Sequence, residues 1–134
     1  MTAVSIVNEK RLLNTFVDLL RIDSPSGQEE AVMRELASRL AALGVPSERD
    51  ATGNLIGRRP GAEPALILCA HVDHVVPSIG IKPVVEGSII RSDGSTILGG
   101  DDTSGVAIML ELLALLNERP ARHAPPALEL VFTV

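Results

Sequence analysis

Aromatic side chains are nearly absent from this sequence: Phe16 and Phe132 are the only two in 134 residues, with no Trp and no Tyr. A buried core must therefore be built from Leu, Ile, Val and Ala, which suits helices packed on an aliphatic sheet. The 46% hydrophobic content is enough for such a core in one domain of this length, and excludes a disordered tail. There is no excess of positive charge. The net charge is -5 and the Lys and Arg residues are scattered, which argues against nucleic acid as a partner, since phosphate binding needs them clustered. A single cysteine, Cys69, cannot close an internal disulfide; within ALILCA it reads as a small hydrophobe on a buried strand.

Long apolar runs are missing too. The most apolar stretch, Val106 to Leu116, is too short to span a bilayer and carries Glu111. The start, MTAVSIVNEKRLL, lacks a basic segment followed by a long apolar one, so neither a secretory signal nor a membrane anchor is expected. The default expectation is a cytoplasmic protein with no membrane partner.

What is present is an alternation of helical and extended patterns. Asn8 can cap a helix whose apolar face is Leu12, Leu13, Phe16, Val17, Leu19 and Leu20. Asp23-Ser24-Pro25-Ser26-Gly27 breaks it, and Ser26 with Glu29 forms a capping box for a second helix. The buried stripe of that helix is Ala31, Val32, Leu36, Leu40 and Leu43, and Gly44 with Pro46 ends it. Arg49 to Asn54 is a turn before a short strand at Leu55 and Ile56, and Arg59 to Pro64 reads as an exposed linker.

Ala65 to Ala70 is a continuous apolar run, as expected of a central strand covered on both faces. Ile81 to Arg91 reads as a hairpin turning at Glu86-Gly87. Asp102, Thr103 or Ser104 can cap a third helix reaching about Glu118, and Leu128 to Val134 starts another apolar strand. The pattern predicts an α/β layered domain over 1–134, a central mixed sheet flanked by helices. That last strand is expected to lack neighbours and to expose an edge prone to association.

Ligands in such folds gather beyond the carboxyl ends of strands, where His71 and Asp73 stand. Two residues apart on an extended chain, they point to the same side, so one can bind while the other orients it. A neutral imidazole ligates zinc at about 2.0–2.1 Å, and a carboxylate on its second nitrogen fixes its tautomer. By itself His-x-Asp is weak evidence, and a polar strand end with an Asp turn is the better reading of it. LGGDDTSG adds two adjacent carboxylates in a glycine-flanked loop opening a helix. Asp102 serves as a cap; Asp101 is then either a surface acid or a metal bridge.

HVDHVVP matches the His-x-Asp-x-Val motif of the M20 zinc metallopeptidases. GIKPVVEGSIIRSDGSTILGGDDTSGVAIMLE resembles the corresponding stretch of their peptidase T-like branch, with further likeness in IDSPSGQEE and DATGNLIG. The resemblance covers nearly the whole chain and implies a zinc-exopeptidase-like domain, incomplete at its C-terminus. It implies that His71 binds one zinc, that Asp73 is the catalytic acid that orients it, and that Asp101 bridges two Zn2+ ions. Asp102 follows at a peptide bond the family often holds cis.

The implied activity is aminopeptidase hydrolysis of a small peptide substrate through a zinc-activated water. The general base, a later acidic ligand, a distant histidine ligand and an inserted domain are expected beyond Val134. In relatives that inserted domain contacts substrate or a second subunit, so a homodimer through it is one implied arrangement. Two other readings are an M20-type deacylase, and an inactive truncated homologue serving as a binding module. Thr103-Ser104 stands where relatives usually have Lys-Ala or Lys-Gly, and His74 where they often have Thr. Thr103 is expected still to cap the helix, His74 to pack or face solvent, and His123 to be solvated.

Overall fold

A computed structural model describes residues 6–118 and 124–134. The first helix, α1 (Glu9–Leu20), starts where expected: the Asn8 side chain accepts from the Arg11 N–H at 3.0 Å, satisfying one of the donors a helix start leaves free. The second, α2 (Glu30–Ala42), does not use the Ser26–Glu29 box. Glu29 is its N-cap without a side-chain cap bond, and the Ser26 hydroxyl instead donates to Asp73. Donating to a charged carboxylate makes a stronger bond than accepting from a neutral N–H of the helix start. The buried stripe of α2 is Val32, Met33, Leu36 and Leu40, with Ala31 exposed and Leu43 half-buried.

Three strands follow: β1 (Ser47–Arg49), β2 (Leu55–Arg59) and β3 (Ala62–His71). Asp50 organises the turn before β2, its Oδ1 accepting the N–H groups of Thr52, Gly53 and Asn54. The stretch read as a linker is mostly not one. β3 already begins at Ala62, and Gly61 passes so close to Pro126 that a Cβ would lie 2.4 Å from its carbonyl. A separate hairpin, β4 (Pro83–Glu86) and β5 (Ile89–Ser92), turns where predicted. Helix α3 (Gly100–Glu118) departs from helical backbone at Asp101 and Asp102; Asp102 Oδ1 accepts the Gly105 N–H at 3.2 Å and is the cap. The last strand is β6 (Pro126–Thr133).

The main sheet has the order β1-β2-β6-β3, with β6 parallel to β3 and antiparallel to β2. This corrects two expectations. β6 does not lack neighbours; it lies between two strands and its inward residues Leu128, Leu130 and Phe132 join the core with Leu36, Leu40, Val106, Leu110 and Leu113. β3 is the sheet's edge among the described residues, and Leu66 and Ile67 are 51% and 66% exposed. Cys69 is likewise exposed, not buried. An apolar run records that both faces of a strand are suited to cover. The described helices cover one face, to which Leu68 and Ala70 point with Leu130 and Phe132; alternation turns Ile67 and Cys69 to the other. No helix among the described residues is long and apolar enough to cross a membrane.

Candidate metal centre

The end of β3 is held extended by contacts on two sides. The Val72 N–H donates to Thr133 O at 3.0 Å, the Ser24 hydroxyl donates to Val72 O at 2.8 Å, and the His74 N–H donates to Ser24 O at 2.8 Å. Extension over this segment brings the His71 and Asp73 side chains to the same side, with Nδ1 and Asp73 Oδ1 3.1 Å apart. The Asp73 backbone oxygen lies 3.2 Å from the same nitrogen. Across the site, His71 Nε2 lies 3.4 Å from Asp101 Oδ1. The structure thus groups His71, Asp73 and Asp101, while Asp102 is engaged as the helix cap. The peptide bond between Asp101 and Asp102 is cis.

Protonation chemistry gives these distances meaning. An ionised carboxylate only accepts hydrogen bonds, so His71 Nδ1, facing Asp73, carries the hydrogen and the neutral ring keeps its lone pair on Nε2. That lone pair faces the Asp101 carboxylate, and two acceptors 3.4 Å apart repel unless a proton or a cation lies between them. Partial burial pulls the His71 pKa down, but the hydrogen bond to Asp101 and the backbone and charge of Asp73 outweigh it, and the net shift is upward. Asp73 is held below the usual carboxylate range, first by the Ser26 hydroxyl, against the opposing effect of burial, and then by His71.

Two residues at the site were not legible as such in the sequence. Ser26 was read as a cap, and its contact with Asp73 spans 47 positions, a pairing no local pattern signals. Replacing Ser26 by Ala is expected to raise the Asp73 pKa toward its ordinary value, readable by NMR titration of that carboxyl. An unchanged pKa would show that the hydroxyl does not hold the charge. Thr103 does not cap α3; its hydroxyl lies 2.9 Å from Nε2 of His74, which is buried, as the packing alternative required. Burial lowers the His74 pKa, outweighing the attraction of Asp73. His123 lies outside the described residues.

His71 Nε2 and the Asp101 carboxylate fit a divalent cation in donor type, and Asp101, its side chain 96% exposed, has oxygens free for more than one ion. They are an incomplete set. Among the described residues no group of three or more His, Cys, Asp or Glu is placed to hold a metal, whereas zinc normally takes four ligands.

An α/β domain with a mixed sheet flanked by helices matches the architecture of peptidase domains of known structure. The chain belongs to peptidase family M28, whose family model matches residues 54–134. It resembles a tripeptidase from Staphylococcus aureus, with 38% identity, a TM-score of 0.91, and coverage of 97% of this chain and 37% of that one. The aminopeptidase PepT from Bacillus cereus gives 35% identity, the same TM-score of 0.91 and coverage of 97% and 37%. The protein YqjE of Bacillus subtilis is 38% identical over 96% of this chain and 37% of its own length. The chain spans little more than a third of these relatives. The peptidase class expected from the motifs therefore stands, with M28 as the matching family.

Proposed function

We propose that this chain is part of the catalytic domain of a zinc-dependent aminopeptidase of the M20, peptidase T-like kind, acting on short peptides. The observation that carries the reading is the approach of His71 Nε2 to the Asp101 carboxylate at 3.4 Å, two groups of ligand type at a separation that a shared cation can join. Similarity to a tripeptidase and to the aminopeptidase PepT supports the substrate class.

In this reading His71 and Asp101 would hold the metal, and Asp73 would keep the His71 ring in the tautomer that leaves Nε2 free for it. Ser26 keeps Asp73 ionised by donating to it. Zinc, when bound, supplies Lewis acidity toward a peptide carbonyl and makes a water acidic enough to react near neutral pH. Two donors hold zinc weakly, so the general base and remaining ligands are assigned to the rest of the parent protein. These residues alone are then inactive. A cytoplasmic location, and a homodimer formed through a further domain, complete the proposal.

Zinc titration of the chain by calorimetry tests the site: a heat should appear with the chain and vanish with His71→Ala. A heat identical in the variant, or none in either protein, would sink the metal reading. On the full-length parent, tripeptides should be cleaved in preference to acyl-amino acids. The reverse order would replace the aminopeptidase assignment with a deacylase.

A further inference from the structure

His74 and Thr103 lie beneath the candidate site, and each belongs to one of the two stretches that carry it. His74 follows Asp73 on the segment leaving β3; Thr103 follows Asp101 and Asp102 in the first turn of α3. On the open side the stretches meet through His71 and Asp101, whose carboxylate is almost fully in water. An exposed contact of that kind fixes little geometry, because solvent competes for both partners. Below it, His74 Nε2 and Thr103 Oγ1 are 2.9 Å apart and both residues are buried, where a hydrogen bond is stronger and its loss leaves a polar atom unpaired.

Packing joins the same two stretches. Gly99 covers the His74 ring so closely that a Cβ there would fall 2.9 Å from Nε2 and 3.0 Å from Cε1. The positive φ of Gly99, +76°, suits glycine for the turn that leads through Gly100 to Asp101. The ring therefore fills the space under the backbone that delivers Asp101. Its own backbone is fixed on the other side, through the N–H bond to Ser24 O and the Ser24 hydroxyl on Val72 O.

We infer that His74 and Thr103 are positioning residues, a brace that holds His71 Nε2 and Asp101 Oδ1 at the separation a shared cation requires. This inference rests on the metal-site reading above. Ligand placement must hold to about 0.5 Å, and outer partners of metal ligands typically change affinity by about 10–100-fold when removed.

The test uses the chain itself and zinc, with His74→Leu, His74→Gln, Thr103→Val and the double variant His74→Leu/Thr103→Val. Each of the Leu and Val variants should weaken zinc binding by about tenfold. The double variant should be no worse than the weaker single, since both remove one shared interaction. His74→Gln, whose amide reaches toward the same hydroxyl, should recover most of the affinity. Losses that multiply, or an unchanged affinity beside a lowered unfolding temperature, would make the pair a piece of core packing and overturn the brace. Absence of any zinc heat in the wild-type chain counts against the metal reading, and the brace is then decided without metal by amide hydrogen exchange. Thr103→Val should speed exchange of the His74 N–H, across the broken bond, as well as that of Gly105; unchanged exchange at His74 would overturn it.

Discussion

Replacing Glu111 by Ala is expected to destabilise the chain by about 3 kcal/mol at neutral pH. Glu111 lies on an otherwise apolar stretch of α3 and is buried, so its charge survives only because it is fully engaged. It accepts from Arg11 Nε at 2.6 Å and Nη2 at 2.9 Å, and from the Asn8 N–H at 3.0 Å. That carboxylate thus fastens the start of α1 to the middle of α3. Truncation leaves the Asn8 donor unpaired and removes one of the two carboxylates on Arg11, the other being Glu118. Because Arg11 is partly open to water and keeps Glu118, the loss falls at the lower end of the range for a broken buried pair.

The sign of the pH dependence follows from the same contacts. The Arg11 hydrogen bond lowers the Glu111 pKa below the ordinary 4.5, outweighing burial, with the Asn8 N–H acting in the same direction. A group whose pKa is depressed on folding adds stability that is complete above its unfolded pKa and disappears as pH falls through the folded one. Urea unfolding of wild type and Glu111→Ala should therefore show a gap that is full at pH 7 and shrinks as pH is lowered from 4.5. A gap of the same size in acid would mean that the charge contributes nothing and that the effect is packing alone.

Much of this architecture was legible because it is local. Asn8 capping α1, the Asp50 turn, the hairpin at Glu86-Gly87 and the cap at Asp102 all depend on residues within a few positions of one another. Two-residue periodicity likewise predicted that His71 and Asp73 share a side. Strand order was not legible. Nothing in Ala65 to Ala70 states that β6, more than fifty positions later, will pair with it and take the centre of the sheet. The apolar run gave the character of β3 correctly, but among the described residues that strand lies at the sheet's edge and Cys69 on it is exposed.

The site divides in the same way. His71, Asp73 and Asp101 stood out because an acidic pair between glycines and a His-x-Asp at a strand end are unusual in composition. Their supports are ordinary residues. Ser26 and Thr103 each had a sound local use as a helix cap, and long-range partners claimed their hydroxyls instead. A hydroxyl that could accept from the N–H groups of a helix start can instead donate to a carboxylate or pair with an imidazole, and only the tertiary fold decides which partner is near.

The scarcity of aromatics makes one position stand apart in its expected effect. Phe132 is completely buried, lies on β6 between Leu55 of β2 and Ala70 of β3, and packs with the aliphatic residues of α2 and α3. Phe132→Ala should reduce stability by ~3–5 kcal/mol, since leucines and valines fixed in their own rotamers cannot close over the space of a ring. Against a typical total of roughly 5–15 kcal/mol, that brings the domain close to unfolding. The next residue, Thr133, accepts the Val72 N–H, so disturbance of β6 reaches the segment that carries His71 and Asp73. Phe132→Leu, which keeps most of the apolar volume, should lose less than half as much. Urea unfolding reads both, with an unchanged m-value marking a loss of stability and not of compactness. A loss under about 1 kcal/mol for the alanine variant would mean that the ring is not enclosed on both sides, and the placement of β6 at the centre of the sheet would fall with it.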